Sequence, residues 1–542
     1  MRSIQLPGLQ RLRSALGQND ALDAARFAYQ QHPDLGRALL ARTGGLLDTA
    51  EARSVLAEPL RAPISAELRA ALEEIPAPPT EPGEREVWVR GVAAQLLTTG
   101  TPPAAPLPLP PAQTEPLPLL STLSTPDAAG RWTLAVERAL SRAQEAGQGR
   151  VTLAVASWGA WLSARQLLSG RYGEAVGGLE SPIAVIMLED AVNLLSAAWS
   201  WNIPGLADLL EGPILLDGVE MLPPSHQSLV FALAADTARV FGVSVVLMSP
   251  GAVTVPGWVP IRPAAASALL AVPEFPPPTT LSLSELAHRV ASGTGNTLVM
   301  LPSRGSAARL KALLPGSVLW SSSLCPVHLG DLFLNLRRRA GAGERLVVVA
   351  TALPPAQLGP FETVWHVDAP LPYLAEAWRF CTGSFRRLLF RDVALPTGWL
   401  PSMPLTSELL AHATPEQALD AYLRYAQNAP PPSGPNLHRL RDAQDYASLA
   451  SELRLRPATS RPALIPYDAH ARTLAKTAEY SGHLPTSALR YAAWLTTTEA
   501  DVAVRQGHAR SIGWALLWEA DYDPAYGLAG KMINETIHAN SS

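Results

Sequence analysis

At 542 residues, 47% of them hydrophobic and 17% charged, the chain is too long for one core and too apolar for wholesale disorder, so three or four domains are expected. A formal net charge of −4 excludes a global basic field, and any nucleic-acid contact must come from local arginine clusters. Two cysteines exclude a disulfide framework, no apolar run reaches the roughly 18 residues of a membrane span, and the N-terminus has no signal-peptide pattern; a cytoplasmic protein without membrane contact is predicted.

Residues 1–101 predict short helices broken at Pro33, Pro59, Pro63 and the Pro76–Pro82 cluster, a small helical docking domain. Residues 102–118 are a stiff, polyproline-type spacer. From 119 to 262 strands and helices alternate. A helix over 132–146 is followed by strands over 150–156 and 181–187 and a helix over 190–200. Two further apolar strands then end in Asp217-Gly218-Val219-Glu220 and in Ser249-Pro250-Gly251. Such alternation predicts a parallel α/β sheet whose strand ends open on a ligand crevice. A connection over 263–281 leads to a second α/β region, 282–395, with a strand over 297–301, a helix over 306–314 and a strand over 346–351. A proline-rich connection over 396–436 holds one helix, 415–427, and the last domain covers 437–542.

Several segments carry more than periodicity. The Asp217–Glu220 tetrad is followed some thirty residues on by Val-Leu-Met-Ser249. Later come Ser321-Ser-Ser-Leu-Cys325-Pro326-Val-His328, Val364-Trp-His-Val-Asp-Ala-Pro-Leu371 and Tyr522-Asp-Pro-Ala-Tyr-Gly-Leu528. Over about 120–530, and in this order, they resemble the CRISPR-associated helicase-nuclease of type I systems, the "Cas three" family of helicase superfamily 2. The resemblance implies two tandem RecA-like lobes of the P-loop NTPase type, 119–262 and 282–395. An N-terminal helical domain and a C-terminal accessory domain flank them.

The departures from the family bear directly on function. Its phosphate loop, A-P-T-G-x-G-K-T, is here Thr125-Pro126-Asp127-Ala128-Ala129-Gly130-Arg131-Trp132. Such a loop needs glycines to close on phosphates, a lysine for their oxygens and a hydroxyl for magnesium; Gly130 alone remains. No lysine precedes Lys311. The water-polarising acid is Gly218, and S-A-T is Ser249-Pro250-Gly251. Where the family has an arginine-finger helix, the chain reads Glu376-Ala-Trp-Arg379-Phe380-Cys381-Thr-Gly383, with Phe and Gly at both finger positions. The family's nuclease uses paired His-Asp ligands; no His-Asp dipeptide occurs in this sequence, and the nuclease is expected to be absent, with no metal site.

A vestigial nucleotide cleft is therefore expected around Gly130, Arg131, Asp217, Ser249 and Arg379, without catalytic residues. Asp217 reads as a helix N-cap or loop residue rather than a magnesium ligand, and Glu220 is displaced too far to replace the lost acid. Cys325, Pro326 and His328 read as a packed loop, and Trp158 with Trp161 as part of a core or partner surface. Nucleic acid, if bound, falls to Arg304, Arg337, Arg338, Arg339, Arg386 and Arg387. Arg391, Arg439, Arg441, Arg454 and Arg456 form further clusters, and pairing with the chain's own carboxylates is an equal reading for all of them. The resemblance, with its losses, implies an inactive, scaffold-like relative that binds single-stranded nucleic acid or a CRISPR surveillance complex (its subunits or its guide RNA) and needs no cofactor. One alternative is a divergent translocase using ATP and Mg²⁺ through Arg131, Asp217 and Arg379. The other is an interaction protein outside CRISPR defence.

Overall fold

The structure, a computed structural model, describes residues 117–261, 276–428 and 461–528 apart from short gaps, and parts of 21–97 and 437–449. The expected spacer at 102–118 lies almost wholly outside these residues, as do His32, Pro126, Arg454 and Arg456. The chain divides into two compact units. The first comprises Met1–Ala156, Ala164–Leu269 and Leu423–Leu455, the second Ser157–Ser163, Leu270–Tyr422 and Arg456–Ser542.

In the first unit, helices α1 (Ala21–Gln31) and α2 (Pro82–Leu97) precede β1 (Leu120–Ser124), α3 (Ala128–Ala146) and β2 (Val151–Val155). Next come α4 (Trp158–Tyr172), whose first turns belong to the second unit, β3 (Val176–Gly177), β4 (Ile183–Met187), α5 (Leu188–Ser196) and α6 (Asn202–Leu209). β5 (Ile214–Asp217), α7 (Pro224–Phe241), β6 (Val245–Ser249) and β7 (Val259–Ile261) complete the series. The seven strands form one parallel sheet in the order β3-β4-β2-β5-β6-β1-β7. Every residue of β2, β5 and β6 is buried. That is why these strands read as unbroken apolar runs: helices cover both faces of a parallel sheet.

The N-terminal helices belong to the same core. Ala24 and Phe27 of α1 and Trp88 and Val89 of α2 cluster with Leu206, Leu229 and Phe241. A buried ionic network reinforces this packing. Glu86 pairs with Arg90 on α2, and both Glu86 and Asp236 of α7 pair with Arg441, on the helix Leu437–Asp442. Burial pushes the Glu86 carboxyl above its usual range, and Arg90 and Arg441 oppose that rise.

The second unit carries β8 (Thr279–Leu281), α8 (Leu283–Ser292), β9 (Thr297–Met300), α9 (Arg304–Leu313), β10 (Val318–Trp320) and α10 (Pro326–Gly341). β11 (Val347–Ala350), β12 (Phe361–Val367), α11 (Leu371–Trp378), β13 (Cys381–Phe390) and α12 (Met403–His412) follow. Its six-stranded sheet is again parallel, in the order β10-β11-β9-β12-β13-β8. Thr279–Leu281, expected within a connection, is thus an edge strand, and α12 joins the expected helix, here Pro415–Asn428.

A separate four-stranded mixed sheet closes the chain. β14 (Arg461–Leu464), α13 (Ala469–Ser481), β15 (Ala492–Leu495), α14 (Thr497–Arg505), β16 (Ala509–Ile512) and β17 (Ala515–Trp518) order as β15-β14-β17-β16. Successive strand residues face opposite sides. Ala463 and Leu516 pack with Ala500 and Ala503 of α14, whereas Leu464 and Leu517 pack with Ala471, Ala475 and Ala478 of α13.

Candidate nucleotide site

Sheet register sets the geometry. Asp217 ends β5 opposite Val155 of β2 and Met248 of β6, and Ser124 ends β1 opposite Ser249. Asp217, Ser249 and the segment leading into α3 therefore meet at the carboxyl edge of the first sheet, where the crevice was expected.

Asp127 is the N-cap of α3, and its carboxylate accepts from the N–H groups of Ala129 (3.1 Å) and Gly130 (3.0 Å). The first amides of this helix, the groups that would otherwise face an anion, are thus satisfied by the chain's own carboxylate. A Cβ on Gly130 would come within 2.4 Å of the Asp127 carboxylate, so a larger residue there would oblige the capping side chain to shift.

One turn on, Arg131 is only 2% exposed. Its Nε donates to Asp217 Oδ1 at 2.9 Å, its Nη2 approaches Asp217 Oδ2 at 3.2 Å, and its Nη1 donates to the Thr125 carbonyl. Trp132 Nε1 also donates to Asp217 Oδ2, at 2.6 Å. Both oxygens of Asp217 are therefore engaged by a fork of side-chain donors, the arrangement arginine makes with a carboxylate. This corrects the N-cap reading of Asp217: the residue is the last of a buried strand and the acceptor of an ion pair reaching across 86 positions.

The surrounding positions close the same edge. Gly218 has φ +86°, and a Cβ there would meet that of Ala156 at 2.5 Å, so backbone and packing both exclude an acidic side chain. Glu220 is buried in the 3₁₀ turn that follows. Ser249 is buried, its carbonyl accepts from Thr125 N–H at 3.2 Å, and its Oγ accepts from Gly251 N–H at 3.3 Å.

In the second unit the expected finger helix, α11, stops at Trp378, and Cys381 opens strand β13, so the helical register assumed across 376–383 does not hold. Arg379 is the C-cap and pairs with Glu376 of its own helix at 2.9 Å. Arg387 leaves the nucleic-acid group: it is 4% exposed and pairs with Asp368 at 2.7 Å. Arg304 pairs with Glu499 at 3.6 Å, and burial lowers its pKa. Arg339 pairs with Glu344 at 2.8 Å. Arg337 and Arg338 lie exposed on α10, and exposed Arg386 donates to Ser384 Oγ. Of the other clusters, Arg391 and Arg441 also pair with carboxylates. Trp158 and Trp161 stack with centroids 4.4 Å apart, Trp158 packing on the second unit's core.

No family profile matches the sequence, and neither does any curated protein. Solved structures do match. The crystal structure of T. fusca Cas3 superposes over 92% of this chain and 82% of that one, with a TM-score of 0.51 at 12% identity. T. fusca Cas3 with AMPPNP gives 92%, 81%, 0.50 and 13%. A chain of a "CRISPR RNA-guided surveillance complex, pre-nicking" gives 91%, 84%, 0.51 and 12%. The chain has the Cas3 helicase fold. At such identity the likeness speaks for the fold alone: tandem RecA-like lobes and a mixed C-terminal sheet.

Within that fold, three of the sequence segments that carry the resemblance meet in the second unit. Cys325 is the N-cap of α10, with Pro326 at its first position, so the expected packed loop is a helix start. His328 Nδ1 lies 2.7 Å from the Tyr522 hydroxyl, and its ring stacks on Tyr467 with centroids 4.9 Å apart. The Tyr467 hydroxyl donates to Asp331 (2.9 Å), and Leu528 N–H to the Ser323 carbonyl (3.0 Å). Gly527 has φ +61°, and a Cβ would fall 2.3 Å from that same carbonyl. Burial pushes the Cys325 thiol up to about 11 and His328 down. Nothing in the spacing of the residues signals that Tyr467 and Tyr522 share His328, or that Asp127, Thr125 and Trp132 complete the Arg131–Asp217 cluster. An Asp three residues before the Gly of a helical run was the one available signal for the cap.

Among the described residues, no group of three or more His, Cys, Asp or Glu is placed to hold a metal, and no helix is long and apolar enough to cross a membrane.

Proposed function

We propose that this chain is a catalytically silent protein of the Cas3 helicase fold, acting as a fixed binding component of a type I CRISPR defence assembly rather than as a motor. The observation that carries the reading is the Arg131–Asp217 pair. An ATP-driven lobe needs free helix amides for phosphate and a free carboxylate for magnesium. Here Asp127 holds the amides, and Arg131 with Trp132 holds the carboxylate. Magnesium would have to displace a buried guanidinium, and a γ-phosphate would meet the Asp127 carboxylate. The residues present do not fit Mg-ATP, and no cofactor is proposed.

The reading also excludes a nuclease of the paired His-Asp type from this sequence. A partner of surveillance-complex character is supported by the fold shared with a chain from such a complex. Of the arginines expected to meet nucleic acid, Arg337, Arg338 and Arg386 remain exposed on the second lobe.

The test is nucleotide turnover with and without single-stranded DNA, together with co-purification of the tagged chain from its native host. The expected outcome is no turnover and no binding of a fluorescent ATP analogue, with guide RNA and surveillance subunits retained. A DNA-stimulated rate above about 0.1 per second that is lost in Asp217→Ala would make the chain a divergent translocase. Recovery without RNA or surveillance subunits would place it outside CRISPR defence.

A further inference from the structure

Away from the candidate site, helix α13 of the C-terminal domain combines charge and an aromatic ring in an unusual way. It buries Ala471, Ala475 and Ala478 against the sheet. At 100° per residue, Arg472, Lys476 and Tyr480 at i, i+4 and i+8 form a stripe that runs from the helix flank to the side opposite, with Thr473 beside its far end. All four are exposed, and Tyr480 is 97% exposed. Elsewhere in this domain Tyr467, Tyr491 and Tyr522 pack their rings on neighbours; Tyr480 leaves its ring in water. Neither Arg472 nor Lys476 has an ion pair among the described residues. Glu479, the one acid within the helix, is engaged by Arg510. In a chain with three lysines and a net charge of −4, this is an uncompensated basic stripe ending in a free aromatic ring.

We infer that the outer face of α13 is a contact surface for single-stranded nucleic acid. Arg472 and Lys476 stand about 6 Å apart along the helix axis, a separation suited to neighbouring phosphates of one strand, and Tyr480 extends the line as a platform for an unpaired base. Cations supply sequence-independent affinity through counterion release. A base stacks on the ring whatever its identity. The ring selects the occupant: an acidic peptide has no base to stack, and a duplex keeps its bases inside. These residues belong to the second unit and share none with the candidate nucleotide site, and the inference does not depend on the loss of ATP chemistry.

The experiment is fluorescence anisotropy of the full chain with a labelled oligothymidylate, without nucleotide, across a salt series. Arg472→Glu/Lys476→Glu is expected to weaken binding and to reduce the log–log salt slope by about 1.4, two contacts at about 0.7 each. Tyr480→Ala is expected to weaken binding roughly ten-fold, Tyr480→Phe to restore it, and Arg505→Glu on α14 to change nothing. Failure of the wild type to bind, or unchanged affinity in both the charge and the Tyr480→Ala variants, overturns the inference. Charge reversal that weakens binding while Tyr480→Ala leaves it intact means a general polyanion surface, and the single-strand assignment falls. ATP turnover would refute the proposed function and leave these outcomes untouched.

Discussion

The carboxyl edge of the first sheet and the junction around His328 are both built from residues where the sequence resembles the helicase-nuclease family, yet they differ in kind. At the sheet edge the residues at the departing positions satisfy one another: Asp127 on the helix amides, Arg131 and Trp132 on Asp217. At the junction the resembling residues remain and bind the C-terminal domain to α10 through His328, Tyr467 and Tyr522. Residues that handle a ligand can be replaced once the ligand is gone, provided the buried charges find new partners. Residues that hold one domain on another have no such freedom, because the fold depends on them directly.

This contrast can be broken most decisively at Arg131. Arg131→Ala strands the Asp217 carboxylate and is expected to destabilise the first unit by about 3–5 kcal/mol in chemical denaturation. Arg131→Met with Asp217→Leu removes both charges and is expected to recover most of that loss. If the single and double variants are equally unstable, packing and not the ion pair holds this edge.

At the junction, Tyr522→Phe removes a hydroxyl from a half-buried ring and is expected to cost about 1 kcal/mol, with His328→Ala costing more through the lost stacking. The expected sign of the pH dependence is also fixed. Burial lowers His328 below its ordinary value, and lowers His366, buried in β12, to about 4. Each binds more protons unfolded than folded below about pH 6.5, so stability is full above that pH. It falls as pH drops toward the folded-state values, by at most about 1.4 kcal/mol per pH unit per histidine. A variant lacking both of these histidines, His328→Phe/His366→Phe, should flatten the midpoint of urea unfolding against pH between about 6.5 and 4.

A smaller effect is expected on α10. Arg337→Glu and Arg338→Glu should change stability by less than about 0.5 kcal/mol while reducing the salt slope of single-strand binding by about 0.7 each. Gly218→Glu sharpens the other side of the comparison. It restores the family's acid in sequence, but the left-handed backbone and the Ala156 contact predict a destabilised chain with no ATP turnover.

The sequence marked the parallel lobes because parallel strands buried on both faces are continuous apolar runs, as in Val151–Val155 and Val245–Ser249. It marked the departure from the phosphate-loop pattern at Gly130–Trp132 because that pattern depends on residue type. It did not mark the ion pair found there, since Arg131 and Asp217 are 86 positions apart and only strand order brings them together. Strand β13 was hidden for a related reason. Arg387 is a cation inside the sheet, and only its pairing with Asp368 makes that position tolerable.

The ionic network around Arg441 has a consequence for how the chain is made. Glu86 and Asp236 emerge from the ribosome long before the arginine that joins them. At about 5–20 residues per second, Asp236 waits on the order of 10–40 s for it. During that interval the first unit carries two carboxylates at core positions, paired among the described residues with Arg90 and Arg239. Vectorial synthesis therefore cannot finish the first unit first: its last buried ion pairs close only after the whole of the second unit's parallel sheet, Thr279 to Phe390, has been translated. A nascent chain stalled before Leu437 is expected to be protease-sensitive at α2, and one released beyond Asp442 to be protected there.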